Sequence, residues 1–269
     1  MPRDAVFLIG RHRGASPLLQ QMDNCMNTGM LDFASQGYAV ITGLLDDNGL
    51  ATARTLVDRV VSQHRAGAAT HLACGVSIAD VTRQHPGRNP DIDPQAWPHE
   101  PFIISDLIAL DGGFAALFHT ESLWRCAARL LECEPADVVF HFCNLTRKPR
   151  GIGPAVGWHR DAGNQYFASE DNRTLRLLLP LQGMRADNGA TAVVPGSHVD
   201  PGAAVDNALI PDVPAGAGLA LHAAVLHGGS PNRSGQDRDV IVIQFGVRGS
   251  TLSHQADEAL ALAGREAFA

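Results

Sequence analysis

A histidine and an aspartate stand two positions apart in "AVGWHRDAGN" (155–164). On an extended strand, residues i and i+2 point to the same face. His159 and Asp161 would then present an imidazole nitrogen and a carboxylate oxygen side by side, two of the three groups of a facial metal triad. An H-x-D triplet alone is weak evidence, because a chain with 12 histidines supplies about one by chance. The chain holds a second, His198-Val199-Asp200 in "VVPGSHVDPG". There Pro and Gly predict a loop, with the aspartate bonded to local backbone.

A third ligand strengthens the first triplet. "AAVLHGGSPNRSGQDRDVIVIQF" places His227 at the end of an apolar strand and opens the next strand on Arg238. Alternation puts Arg238 on the face of Val240, Val242 and Gln244, with Ile241 and Ile243 opposite. If that face lines a barrel interior, the guanidinium points inward and requires an anion, since an unpaired buried charge is prohibitive. Two histidines and one carboxylate with open positions opposite form the ligand set of non-haem Fe(II) oxygenases. A planar guanidinium suits a carboxylate. The distal carboxylate of 2-oxoglutarate, whose keto-acid end chelates the iron, is the matching client.

The rest of the chain must position these groups. Its 269 residues are 45% apolar and 18% charged with a net charge of −7, a globular composition that argues against a nucleic-acid backbone as partner. Lys148 is the one lysine among 21 basic residues, so Schiff-base catalysis has a single candidate. Five cysteines without a C-x-x-C pair argue against a disulfide scaffold and fit a reducing, cytoplasmic setting. No apolar run approaches the roughly 18 residues that cross a bilayer, and "MPRDAVFLIGRHRGAS" does not read as a signal peptide.

"FASQGYAVITGLLDDNGLATARTLVDRVVSQH" (33–64) predicts a short strand near Tyr38–Ile41 and then a helix. Asp46 or Asp47 would cap it, and Leu50, Ala53, Leu56, Val57 and Val60 fall at helical spacing. Residues 65–100, with "HPGRNPDIDP", suggest a lid or binding loop. "ESLWRCAARLLECEP" (121–135) predicts an amphipathic helix. From about 138 the texture becomes short apolar runs separated by turn formers, which predicts strands of a sandwich or barrel. The expected architecture is mainly β with flanking helices around a double-stranded β-helix, a cupin-like jelly roll. It forms one domain over 1–269: an arm (1–32), helical support and lid (33–137), the jelly-roll core (138–249) and a C-terminal helix (250–269).

"FASQGYAVITGLL", "GWHRD", "DNGATAVVPGSH" and "LHGGSPNRSGQDR" occur in an order and spacing that resemble the phytanoyl-CoA dioxygenase family of Fe(II)- and 2-oxoglutarate-dependent oxygenases, over about 33–247. The resemblance implies a jelly-roll core, Fe(II) on His159, Asp161 and His227, and Arg238 on 2-oxoglutarate. Family members often carry a serine two residues after the distal histidine. Here that position is Gly229, with Ser230 next to it as a substitute.

Other polar residues have competing readings. His222 lies an odd number of residues before His227, so on one strand it faces away. His85, His99 and His119 lack ligand spacing and read as loop or helix histidines. Trp158 faces away from His159 on a strand, which predicts core packing against a rival role in the pocket wall. Asn144 is either a donor to 2-oxoglutarate or an ordinary strand-end polar residue. "TRKPRG", with Arg147, Lys148 and Arg150, predicts a solvated turn, with attraction of an anionic substrate by Arg147 as the alternative.

The functional expectation is an oxygenase using Fe(II), 2-oxoglutarate and O2 to hydroxylate an unactivated C–H bond of a small biosynthetic or natural-product intermediate, releasing succinate and CO2. Related halogenases lack the carboxylate supplied here by Asp161. The rival is a cupin-type metal enzyme, an isomerase or ring-cleaving dioxygenase, that uses no 2-oxoglutarate. A third reading is a binding protein that kept the fold. Neither nucleic acid nor membrane is an expected partner, and nothing marks a coenzyme A site.

Overall fold

Helical spacing and a capping aspartate act as expected at the start of the chain. The structure is a computed structural model that describes residues 31–83, 99–163, 167–255 and 260–269. Strand β1 is Tyr38–Ile41 and helix α1 is Asp47–Arg65. The Asp46 carboxylate accepts a hydrogen bond from the Gly49 amide at 2.7 Å, satisfying one of the helix's unpaired donors. Ala53, Leu56, Val57 and Val60 are buried on one face of α1. Helix α2, Glu121–Leu130, buries Leu123, Cys126, Ala127 and Leu130 in the same way. No helix among the described residues is long and apolar enough to cross a membrane.

The remaining strands are β2 (Ile78–Asp80), β3 (Pro101–Ser105), β4 (Val138–Lys148), β5 (Val156–His159), β6 (Phe167–Ser169), β7 (Thr174–Pro180) and β8 (Thr191–Val193). They continue with β9 (Gly218–His222), β10 (His227–Gly229), β11 (Arg238–Val247), β12 (Leu252–Gln255) and β13 (Leu262–Ala263). A large antiparallel sheet runs β1-β9-β7-β11-β4-β3-β2, with β13 also on β4. A small sheet, β5-β10-β8, carries the H-x-D strand and the distal histidine. This is a mostly β, cupin-like jelly roll.

Side-chain alternation separates two cores. Leu175, Leu177, Leu179, Ile241 and Ile243 pack with the residues of α1 and α2. Leu178, Val240 and Val242 instead join Val193, Leu219 and Leu221. Because the period of a strand is two, β1, β7, β9 and β11 each serve both layers at once. Truncating one of these fully buried leucines to alanine costs about 2–5 kcal/mol.

Two expectations on element boundaries change. The 33–137 region is more than helical support, because β1, β2 and β3 extend the large sheet on both sides. The described residues of 250–269 do not form the expected C-terminal helix: β12 pairs with β6, β13 pairs with β4, and Arg265–Phe268 forms one 3-10 turn. Its Ala- and Leu-rich composition favours helix, but Gly264 has φ 75° and β4 offers a free edge. Phe268 then inserts among Phe118, Trp124 and Phe140. The arm up to residue 30 and "HPGRNPDIDP" with His85 lie outside the described residues.

Candidate active site

Register brings the two distant histidines together. On β10 and β5, His227 and His159 are direct cross-strand partners, and their ring centroids lie 4.2 Å apart. Each ring is aimed by a backbone carbonyl: His159 Nδ1 lies 2.8 Å from Gly157 O and His227 Nδ1 3.1 Å from Val225 O. A carbonyl can only accept, so Nδ1 of each ring carries the proton and Nε2 keeps its lone pair for a metal. Burial lowers the pKa of His227 to about 4, which keeps that lone pair available.

Asp161 reaches the same point by another route. It lies past the end of β5, in a 3-10 turn at Asp161–Gly163, so the shared strand face expected for His159 and Asp161 is replaced by a turn that folds the carboxylate back. Its Oδ1 is 3.6 Å from His159 Nε2 and its Oδ2 is 3.8 Å from His227 Nε2. Both oxygens are buried without a hydrogen bond. Ligand atoms of His159, Asp161 and His227 all lie within 4.8 Å of one another. Two neutral imidazoles and a carboxylate lacking hydrogen bonds fit a divalent iron.

A cavity of about 190 Å³ adjoins the triad, lined by both histidines, Asn144, Lys148, Arg176 and Arg238. Arg238 lines it with Val240 and Val242, as alternation predicts. Its Nε is buried without a partner, and burial lowers its pKa to about 10. Its cross-strand partner on β4 is Lys148. Lys148 Nζ donates to Gly189 O at 2.9 Å and Ser230 O at 2.6 Å, and burial, with help from Arg238, lowers its pKa to about 6. Neither cation has an ion-pair partner among the described residues.

One residue along each strand the charges are paired instead. Arg147 and Asp239, also cross-strand partners, bond at 2.7 and 2.9 Å. Arg147 also donates to Glu100 at 3.2 Å and to Asp237. Arg147 is therefore neither a solvated turn residue nor a cavity residue. It is a buried structural cation, because β4 continues through Lys148 before the turn begins.

The other expected residues divide. Asn144 lines the cavity, with Oδ1 buried and unpartnered. Ser230 is exposed and contributes its carbonyl to Lys148 rather than its hydroxyl to the cavity. The glycine beside it has a reason: a Cβ on Gly229 would sit 2.9 Å from Lys148 Nζ. Trp158 is not core; it is 42% exposed and lies across Gly228, where a Cβ would approach its ring to 3.1 Å. His222 packs against Phe33 and His198, and the Asp200 carboxylate accepts from the Gly202 amide at 2.9 Å, the local turn expected there.

Arg176 was missed by sequence reasoning, although a single charge inside "TLRLLLP" is the signal that exposed Arg238. Its Nη1 lies 3.1 Å from Asp161 Oδ1, an ion pair without hydrogen-bond alignment. Its Nε donates to Gln244 at 3.1 Å, and its guanidinium lies 5.5 Å from the centre of the Phe142 ring.

The profile of the phytanoyl-CoA dioxygenase (PhyH) family matches residues 33–240. A comparison with curated protein sequences gives no match. Among solved structures, AviO1 from Streptomyces viridochromogenes Tue57 is similar with a TM-score of 0.64 at 19% identity, over 84% of this chain and 96% of that one. EctD from S. alaskensis, crystallised with bound Fe, is similar with a TM-score of 0.65 at 18% identity, over 84% and 78%. The non-haem alpha-ketoglutarate-dependent epimerase SnoN from nogalamycin biosynthesis is similar with a TM-score of 0.64 at 14% identity, over 83% of each chain. At these identities the likeness establishes the fold.

Proposed function

The chain belongs to the phytanoyl-CoA dioxygenase family of Fe(II)- and 2-oxoglutarate-dependent oxygenases, and from that premise we propose that it hydroxylates an unactivated C–H bond of a small biosynthetic intermediate, with release of succinate and CO2. In this reading His159, Asp161 and His227 hold the iron. Bound iron and 2-oxoglutarate together supply the activation of O2, chemistry that no side chain offers. The protein's own residues orient and neutralise. The Gly157 and Val225 carbonyls fix the imidazoles, and Arg176 steadies Asp161 from the cavity side.

The observation that carries the reading is the facing pair Arg238 and Lys148. An arginine and a lysine directly opposite each other on paired strands oppose one another's charge; without an anion, Arg238 is buried charged and unpaired while the Lys148 ammonium is driven to release its proton. A dicarboxylate relieves both, its far carboxylate taking the Arg238 fork and the Lys148 ammonium. Asn144 is a further donor to the same guest. A cupin-type enzyme without 2-oxoglutarate leaves this pair unexplained. The single catalytic domain extends from the first sheet strand to the last, because β1 and β13 both join the large sheet.

The test is spectroscopic first. Under argon, Fe(II) and 2-oxoglutarate added together should give the visible charge-transfer absorption of a chelated ferrous keto acid, and His227→Ala should abolish it. On admitting air, succinate should form in the wild type and not in Asp161→Ala. Undiminished succinate formation in Asp161→Ala would remove that carboxylate from the metal site and overturn the assignment.

A further inference from the structure

A second set of metal-ligating side chains lies apart from the cavity. His64 stands in the last turn of α1, Asp80 at the end of β2 and His99 just before β3. His64 Nε2 is 2.6 Å from Asp80 Oδ1, and one ligand atom from each of His64, Asp80 and His99 lies within 4.8 Å of the others. His71 adds a fourth group. The rings of His71 and His99 stand edge-on to His64, with centroids 5.6 and 5.9 Å from it at 77° and 80°. All four line one cavity of about 530 Å³, and none of them lines the cavity of Arg238.

We propose that His64, Asp80 and His99 form a second transition-metal site, separate from the catalytic triad and filled by zinc, with His71 in reach of the fourth position. A His–Asp ion pair accounts for two of these residues and leaves two more imidazoles around the same small space without a role. Imidazole nitrogens with one carboxylate oxygen are a donor set for tetrahedral zinc. His99, whose spacing predicts only a loop residue, becomes a ligand through folding rather than through sequence proximity.

The place in the fold gives the site a task. Arg65, next to His64, donates two hydrogen bonds of 2.8 Å to Glu100, next to His99. Glu100 in turn accepts from Arg147, the buried partner of Asp239, whose neighbour on β11 is Arg238. A metal at His64, Asp80 and His99 would clasp the end of α1 to the start of β3 and hold the end of that ion-pair chain.

The experiment counts metal. In a His159→Ala/His227→Ala variant, which disables the first site, metal-stripped protein dialysed against Zn(II) should retain one equivalent by mass spectrometry of the metal. Co(II) in the same protein should give the intense visible bands of four-coordinate cobalt. Adding His99→Ala, a change at an exposed residue, should weaken Zn(II) binding at least about tenfold and lose those bands. Zn(II) should also raise the melting temperature of the double variant and leave that of the triple variant unchanged. Absence of bound Zn(II) in the double variant, or equal binding with His99→Ala, would overturn the proposal.

Discussion

Replacing Arg238 by glutamine should move stability and co-substrate binding in opposite directions. Burial lowers the Arg238 pKa well below that of a free guanidinium, to about 10. At about 1.36 kcal/mol per pH unit, carrying the charge costs the unliganded fold ~3 kcal/mol at neutral pH. Glutamine keeps much of the volume and removes the charge that faces Lys148 across the β4–β11 pair. The variant without ligand should therefore melt at the wild-type temperature or a few degrees above, at about 2–4 °C per kcal/mol. Binding of 2-oxoglutarate should lose a charge-assisted bidentate contact of ~3 kcal/mol, which is roughly a hundredfold rise in Kd. Differential scanning fluorimetry reads the first quantity, and anaerobic titration of the ferrous charge-transfer band reads the second. A variant that melts well below wild type yet keeps its 2-oxoglutarate affinity would show that Arg238 is structural, and the anion-site argument would fail.

Lys148→Met should likewise weaken 2-oxoglutarate binding, by about tenfold, since Lys148 offers a point charge where Arg238 offers a fork. The same lysine sets a pH dependence: its pKa falls from 10.5 to about 6 on folding, so between those values the unfolded chain holds a proton that the folded chain does not, and unliganded stability from this group rises with pH. Denaturant midpoints near pH 6.5 and pH 9 should show this rise in wild type and a smaller one in Lys148→Met; an equal rise in both would refute it. Arg147→Met leaves Asp239 buried without its cation, while Glu100 keeps Arg65, so chemical denaturation should show a loss of about 3–5 kcal/mol, against the neutral or positive effect at Arg238.

The clustering of His159, Asp161 and His227 was legible in the sequence because strand ends and short turns keep their side chains close to where the motif places them. Even there the route differed, since Asp161 converges through a 3-10 turn and not through strand parity. Helix α1 and strand β1 were legible for a local reason as well, a cap and a period contained within a few residues. The C-terminal segment was not, because its composition speaks for helix while the open edge of β4 and an aromatic pocket decide for strand and turn. Those are properties of the assembled sheet.

The cationic pair shows where local reading ends. Parity along "RDVIVIQF" alone set Arg238 on the face of Val240 and Val242, and the structure keeps that placement, with all three lining the cavity. The same parity applied to "TRKPRG" would have sent Arg147 and Lys148 to opposite faces, but the Pro and Gly suggested a turn two residues too early. What no local pattern contains is the register that sets Arg238 against Lys148 and Arg147 against Asp239. Given that register, one pair is neutral and complete, and the other sets two basic side chains against each other without an anion. A fold that stabilises one cross-strand pair with a carboxylate and leaves the adjacent pair with an unpaired guanidinium and a lysine driven to release its proton violates its own rule one residue later. Such a violation persists where a ligand repairs it, so the anion that the proposed function requires is inferred from the mismatch itself.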